Sequence, residues 1–207
     1  MFLDRPLQDY LDELASAQPT PGGGAAAALS GAQAAALASM VARLTIGKAD
    51  YAAVQPEIAE LLQQTEQLRA IFQQLMQDDS AAYATLAKAF KLPRGTSEEK
   101  VARSPAVQAA LAQAALVPLD VAECAATLLR LCQRIAEIGN VNVLSDIATA
   151  AALATGAGTG AAWMVRTNLH TMKDLATVEA LGARLGEALD QIMERGQIIT
   201  SIVGERA

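Results

Sequence analysis

Apolar residues recur at every third or fourth position over most of the chain, which is the spacing of helices that pack on one face. The stripes are clearest over 55–91, 118–138 and 174–203. In order, they consist of Ile58, Leu61, Leu62, Thr65, Leu68, Phe72 and Leu75; Val121, Cys124, Leu128, Leu131, Ile135 and Ile138; and Leu175, Val178, Leu181, Leu185, Leu189 and Ile192. No segment shows the clear alternation of a half-buried strand, so the pattern predicts an all-α fold.

Two further segments, 25–42 and 147–165, contain no charged residue. Each is long enough to cross a bilayer, and Gly156 and Gly160 have the spacing of packed membrane helices. However, Ala, Gly, Ser, Thr and Gln gain little from transfer into lipid, and neither segment has aromatic residues at both ends or an excess of flanking Lys and Arg. We therefore expect two central helices of a soluble bundle, with a membrane protein as the weaker alternative.

Helix-breaking residues divide the first half of the chain. A short amphipathic helix is predicted over 4–17, with an apolar face formed by Leu3, Leu7, Tyr10, Leu11 and Leu14. It ends at the Pro- and Gly-rich segment 18–24. The first uncharged helix follows, and we expect it to run to about Ile46 and to end at Gly47.

In the second half, Thr96 is the predicted N-cap of a helix that runs to about Leu116. Pro118 is expected to begin the next helix, and Gly139 with Asn140 to separate it from the second uncharged one. The short connections predict antiparallel neighbours. The sequence thus indicates a single domain over 1–207, an antiparallel helical bundle with two buried Ala/Gly-rich central helices.

Composition narrows the classes of function. Of 207 residues, 52% are hydrophobic, 18% are charged and only 3% are aromatic, which is typical of a helical core built from Ala, Leu, Ile and Val. The formal net charge of −6 argues against a nucleic-acid partner, because nucleic-acid binding normally requires a basic face.

Cysteine and histidine are too sparse for a metal centre. Cys124 and Cys132 lie too far apart along one helix for a disulfide, and we expect both to be reduced core residues. The single His170 and the absence of a Cys/His cluster make a zinc site improbable. The acidic first segment lacks the apolar core of a signal peptide, which predicts a cytoplasmic protein.

Polar residues at the ends of the uncharged helices are the candidates for chemistry. Thr20 and Gly22–Gly24 precede the first helix, where glycine backbone N–H groups can face an anion or a carbonyl. A flexible turn explains the glycines equally well. At the far end, Arg43 and Lys48 either complement the helix dipole or, in the case of Lys48, bind carboxylates or transfer a proton.

Asn140, Asn142 and Asp146 precede or open the second uncharged helix. Asp146 is either a cap or first-turn acid or, if it is buried, a carboxyl whose pKa desolvation would raise to suit proton transfer. The remaining candidates are Arg166 and Asn168 at the other end of that helix, and Arg103 on a charged helix face.

These motifs, in this order, resemble the formiminotetrahydrofolate cyclodeaminase/methenyltetrahydrofolate cyclohydrolase family. They are Pro19-Thr20-Pro21-Gly22-Gly23-Gly24 before an Ala-rich helix, Thr45-Ile46-Gly47-Lys48, Leu92-Pro93, Glu98-Glu99-Lys100 with Arg103, Ala115 to Pro118, Gly139-Asn140-Val141-Asn142 with Ser145-Asp146, and Val165-Arg166 with Asn168-Leu169. The resemblance covers nearly the whole chain. It implies an all-α domain, usually a homodimer, that acts on one-carbon tetrahydrofolates without a metal or any cofactor besides the folate substrate.

On this resemblance we expect Asp146 to be the catalytic acid and base, with Lys48 as its polar partner. Asn140, Asn142 and the backbone of Gly22–Gly24 would orient the pterin and the one-carbon bridge. The other expected substrate-binding residues are Thr20, Asn168, and Arg103 or Arg166 for the glutamate tail.

The resemblance leaves two reactions open: hydrolysis of methenyltetrahydrofolate to formyltetrahydrofolate, and closure of formiminotetrahydrofolate to methenyltetrahydrofolate with loss of ammonia. The chain departs from the family pattern at Ala25, where Ser is common, and at Met164, where Asn is expected. The alternatives are a non-catalytic folate-binding protein, which Met164 favours, and a purely structural helical protein.

Overall fold

The computed structural model describes residues 2–206, so the predicted domain limits at 1 and 207 lie just outside the described residues. The helices are α1 (Leu7–Leu14), α2 (Gly23–Arg43), α3 (Gln55–Phe90), α4 (Ser97–Ile138), α5 (Leu144–Thr171) and α6 (Leu175–Arg206). Short 3-10 helices cover Phe2–Asp4, Ala49–Val54 and Val141–Val143. Residues 2–206 contain no strand, and the predicted all-α bundle is confirmed.

The two uncharged helices, α2 and α5, lie against each other at the centre of the bundle, with α3 packed on α2, α4 packed on both, and α6 packed on α5. Their glycines make room for large side chains from the outer helices. A Cβ on Gly31 would lie 2.4 Å from the ring of Phe72, and one on Gly158 would lie 2.3 Å from Ile192. Small residues in the centre therefore allow close packing of large ones around it.

One helix in the described part of the chain, α2, is long and apolar enough to cross a membrane. Of its most apolar stretch, 61% is buried inside the structure. Because the core helix of a bundle has the same length and composition, this finding is weak evidence for a membrane span.

The helix predicted to end at about Leu116 continues without a break, so the expected boundary before Pro118 is wrong. α4 contains both Pro105 and Pro118 in its interior. Its start is as predicted: the Thr96 hydroxyl accepts the N–H of Glu99 at 3.2 Å, and the Glu99 carboxylate accepts the N–H of Thr96 at 3.1 Å.

The amino-terminal helix differs from its prediction in length and in burial. It covers only Leu7–Leu14, and Leu7 and Leu11 of the predicted apolar face are exposed. Tyr10 is its buried residue, and its ring packs edge-on against Phe2. Two turns are too short to bury a whole face, so Tyr10 and the partly buried Leu14 anchor α1 to the core.

The distal parts of α3 and α4 share a small core that is separate from the main one. It consists of Leu86, Ala89, Val107, Ala110, Leu111 and Ala114. The end of α3 and the start of α4 therefore form a helical hairpin that extends beyond the central bundle. The candidate active site lies where this hairpin leaves the bundle.

Candidate active site

A cleft of about 220 Å³ lies at the start of α2, between α3, α4 and the last turns of α5. Its polar and aromatic lining includes Thr20, Gly22–Gly24, Asp79, Tyr83 and Asn168. A wider groove of about 370 Å³ lies elsewhere, between α3, α4 and α6. In that groove Arg134 is paired with Glu57 and Glu137. The smaller cleft is the better candidate for a site because it contains the half-buried carboxyl of Asp79 beside the start of a helix.

Asp79 is the half-buried carboxyl of the cleft. One of its oxygens accepts the backbone N–H of Ala25 in the first turn of α2, at 3.0 Å. Burial raises the pKa of the Asp79 carboxyl above its ordinary value, and the hydrogen bond from Ala25 offsets only part of this rise. The raised pKa makes this carboxyl a stronger proton acceptor than an exposed Asp, which suits it to accept and return a proton.

The glycine segment has a steric role that the sequence pattern did not reveal. Gly22 caps α2 in an extended conformation, and a Cβ on Gly24 would lie 2.0 Å from a carboxyl oxygen of Asp79. Glycine at 24 is therefore what lets the carboxyl reach the end of α2. The start of α2 does face an acidic group, but this group is the Asp79 carboxyl, and the N–H that it accepts belongs to Ala25 and not to a glycine.

The walls of the cleft combine aromatic, apolar and amide groups. Tyr83 lies one helical turn beyond Asp79 and is exposed, and Met164 lies 3.4 Å from the position of a Cβ on Gly23. Asn168 lies one turn beyond Met164. Together these residues form a partly apolar slot beside the Asp79 carboxyl.

Tyr10 belongs to the surroundings of Asp79 rather than to the wall of the cleft. Its hydroxyl is buried and has no hydrogen-bond partner in residues 2–206. Burial, and then the charge of Asp79, raise the pKa of the Tyr10 phenol. The Tyr10 ring of α1 therefore lies close enough to Asp79 for the charge of that carboxyl to affect its phenol.

The structure brings together one group of the predicted site residues: Thr20, Gly22–Gly24 and Asn168. The two arginines predicted to hold the glutamate tail lie outside the cleft lining. Arg166 lies over the ring of Trp163, 5.1 Å from its centroid. Arg103 donates to the carbonyl of Phe90 at 3.1 Å and so fixes the connection between α3 and α4.

A second group, Lys48, Asn140, Asn142 and Asp146, lies at the opposite ends of α2 and α5. The 21 residues of α2 separate the groups by about 30 Å within one chain. Asn140 is only 2% exposed. Its side chain donates to the carbonyl of Leu44 at 2.9 Å and accepts the N–H of Asn142 at 3.1 Å. Lys48 and Asn142 are exposed, and Asp146 is half-buried.

Asp79 and Tyr83 were not among the candidates from the sequence. The available indication was register: counted in threes and fours from Phe72 and Met76, the buried stripe of α3 arrives at Asp79. A carboxylate in a buried stripe requires a compensating partner, which here is the start of α2.

The described residues 2–206 contain no group of three His, Cys, Asp or Glu side chains able to hold a metal ion. The expectation that no metal or cofactor is needed stays a prediction. Burial raises the pKa of the Cys124 thiol to about 11 and that of the Cys132 thiol to about 12. Both thiols are therefore protonated and poorly reactive at neutral pH.

The fold is that of a known class of all-helical protein. A solved structure of formiminotetrahydrofolate cyclodeaminase from Thermotoga maritima superimposes with a TM-score of 0.90 and 31% identity, over 99% of this chain and 98% of that one. The sequence model of the formiminotransferase-cyclodeaminase family matches residues 6–187. The chain belongs to this family, as the motifs predicted.

Two curated relatives are similar over nearly the whole chain. Methenyltetrahydrofolate cyclohydrolase of Methylorubrum extorquens is 40% identical over 192 residues, which cover 93% of this chain and 91% of that protein. Formimidoyltransferase-cyclodeaminase of Mus musculus is 34% identical over 199 residues, which cover 96% of this chain but only 37% of the mouse protein. The chain thus matches almost the full length of the bacterial relative and about a third of the mouse one.

Proposed function

We propose that this one-carbon folate enzyme hydrolyses methenyltetrahydrofolate to formyltetrahydrofolate, with Asp79 as the catalytic acid and base. The observation that carries the proposal is the half-buried Asp79 carboxyl, held by the N–H of Ala25 at the edge of a partly apolar cleft. The 40% identity to a methenyltetrahydrofolate cyclohydrolase over almost the full length of both chains supports this choice of reaction.

The proposed reaction needs one group that can take and then return a proton. Asp79 accepts a proton from water as the water oxygen bonds to the cationic methenyl carbon, which gives a tetrahedral carbon between two nitrogens. The carboxylic acid then protonates the nitrogen that leaves. One carbon–nitrogen bond breaks, the new oxygen becomes the formyl carbonyl, and the hydroxyl proton passes to solvent.

The cyclodeaminase reaction is the second candidate, since the superimposed Thermotoga maritima structure is a cyclodeaminase. In that reaction a folate nitrogen attacks the formimino carbon and ammonia leaves. Asp79 would accept the proton of the attacking nitrogen and donate it to the departing one. Both reactions pass through a tetrahedral carbon between nitrogens, so one site serves either.

A spectrophotometric assay with methenyl- and formiminotetrahydrofolate side by side tests the proposal. We expect the methenyl absorbance to disappear with the first substrate as the formyl product forms. If methenyl absorbance grows from the second substrate while the first is stable, the protein is a cyclodeaminase. A non-catalytic folate-binding protein would shift the methenyl absorbance and leave its amount unchanged.

We further propose that the active protein is a homodimer that pairs through the open face of α2 and α5. Arg43, Arg166 and His170 are exposed near the ends of these two helices, but between those ends the exposed residues are uncharged and include Gln33, Ala36, Ala152, Gly156 and Trp163. A two-fold axis across the middle of this face would place the end of α2 that carries Lys48 beside the cleft of the other subunit. Lys48 and Asp146 would then serve a site whose Asp79 belongs to the partner.

Mixing two inactive variants tests this arrangement. Asp79→Asn and Asp146→Asn subunits, unfolded and refolded together, should regain about a quarter of wild-type activity if each site takes one carboxyl from each subunit. If the mixed dimers are shown to contain one subunit of each variant and still have no activity, both carboxyls of a site belong to the same chain. Sedimentation of the wild type at several concentrations is the accompanying measurement of oligomeric state.

A cytoplasmic location is also proposed. It is supported by two unpaired thiols, the buried Cys132 and the half-buried Cys124, as expected in a reducing compartment. Fractionation of cells that express the protein is the test, and recovery in the membrane fraction would contradict it.

A further inference from the structure

Pro118 lies within α4 and cannot donate the N–H that would bond to the carbonyl of Ala114 four residues earlier. Ala114 is only 8% exposed and lines the cleft. A buried carbonyl without a donor is destabilising, so another group must satisfy it if α4 is to remain straight at this point.

Asn168 of α5 supplies the missing donor. Its side-chain nitrogen donates to the carbonyl of Ala114 at 3.0 Å and to the carbonyl of Met164 at 3.0 Å. Both amide hydrogens are thereby used, and no hydrogen bond to the Asn168 Oδ1 occurs within residues 2–206. Because Asn168 lines the cleft, its oxygen is the atom available to a bound molecule.

The other proline inside α4 shows that this arrangement is specific to the cleft. Pro105 likewise deprives the carbonyl of Val101 of its helical donor. Val101 is 73% exposed, so water can satisfy that carbonyl without help from another helix. Only the proline beside the cleft is coupled to a side chain from α5.

We infer that Pro118 positions Asn168, already expected to bind substrate: the Ala114 carbonyl that Pro118 frees holds the Asn168 amide, so that the amide oxygen accepts an N–H of the reduced pterin. The inference rests on the proposed folate function. Reduced pterins carry several N–H groups and need acceptors for them. An amide turned the other way would present hydrogens to those groups and repel them, so the fixed orientation selects a donor. Pro118 is then a positioning residue, which acts through Ala114 and Asn168.

Kinetics of methenyltetrahydrofolate hydrolysis test the binding role. Asn168→Leu should raise KM by about five- to tenfold with little change in kcat, as for the loss of one hydrogen bond made equally in the ground and transition states. Pro118→Ala restores an N–H for Ala114, loosens Asn168 and should raise KM by about threefold. The matched control Pro105→Ala, at the exposed position, should leave both constants unchanged.

The double variant separates coupling from simple loss of packing. In the Pro118→Ala background, Asn168→Leu should raise KM by a smaller factor than in the wild type, because the orienting contact is already weakened. An unchanged KM for Asn168→Leu, or equal factors in the two backgrounds, would overturn the inference.

Urea unfolding tests the contact without reference to activity. We expect Asn168→Leu to lower the urea midpoint more when it is introduced into the wild type than when it is introduced into the Pro118→Ala variant. In that variant the Ala114 carbonyl already has a donor on its own helix. Equal shifts would show that Asn168 does not satisfy this carbonyl. If the wild type has no folate activity but Asn168→Leu shifts the two unfolding midpoints by different amounts, the proposed function fails and the contact between Asn168 and Ala114 stands. If the enzyme is active and the two shifts are equal, only the contact is rejected.

Discussion

The two ends of the central helices differ in what their polar groups do. At the end where α2 begins, Asp79 and Asn168 keep an oxygen directed at a cleft after satisfying the backbone. At the opposite end, Asn140 uses its side chain on the backbone of Leu44 and Asn142, and little of it is exposed. Asn168 and Asn140 look alike in the sequence, but the first keeps its amide oxygen available beside a cleft and the second uses its side chain to hold a turn together.

The strongest test of this difference is Asp79→Asn, which removes the proposed acid and base while keeping the shape of the side chain. We expect kcat to fall by about 10²- to 10⁴-fold. Asp78→Asn is the matched control, because Asp78 is the preceding residue and accepts a hydrogen bond from Gln74 on its own helix. If Asp79→Asn keeps a kcat close to that of the wild type and Asp146→Asn loses activity, the catalytic acid and base is Asp146, as the sequence predicted.

Gly24→Ala tests whether the absence of a side chain at the start of α2 is needed to place the Asp79 carboxyl. The added Cβ would lie 2.0 Å from the Asp79 carboxyl, so the carboxyl must move. We expect kcat to fall by about 100-fold from misplacement and the free energy of unfolding to fall by about 1–3 kcal/mol. Gly186→Ala on α6, where a Cβ meets nothing within 4 Å, is the control. It should leave kcat unchanged and should not lower stability. Equal kinetics for the two variants would mean that Gly24 has no part in placing Asp79.

Asn140→Ala examines the opposite end. It removes two hydrogen bonds from a buried side chain, and we expect urea unfolding to show a loss of about 1–3 kcal/mol. If Asn140 only holds the turn, KM for the folded variant stays at the wild-type value. A large rise in KM with normal stability would instead support the substrate-binding role that the sequence suggested.

The smallest expected effect is a pH-dependent gain in stability. Burial raises the pKa of Asp79, so the folded state binds this proton more tightly than the unfolded state does. The carboxyl therefore contributes most to stability below its unfolded pKa, and this contribution is lost as pH rises through the folded pKa. Asp79→Asn should raise Tm by a few degrees at neutral pH and lose that advantage in acid. A lower Tm at neutral pH would contradict the raised pKa.

Much of the fold was predictable because it depends on local spacing. The apolar stripe of α3 gave bounds within one residue of those observed, and the cap of α4 at Thr96 was found from residue type alone. The helix boundary predicted before Pro118 was wrong because the sequence does not show that the Asn168 amide of α5 lies close enough to donate to the carbonyl of Ala114. The burial expected for the apolar face of α1 was wrong at Leu7 and Leu11, because an apolar stripe does not show whether another helix packs against it.

The sequence by itself determined the helices, the two uncharged central segments and the family to which the chain belongs, because these depend on periodicity and on motif order. The tertiary structure alone decided which polar residues meet. It separated Asp146 and Lys48 from Gly22–Gly24 by the length of a helix, and it brought Asp79 to the start of α2 across 54 residues of chain. The reason is physical: the desolvation and hydrogen bonding that give a carboxyl its chemistry are set by neighbours in space, which spacing along one chain does not encode.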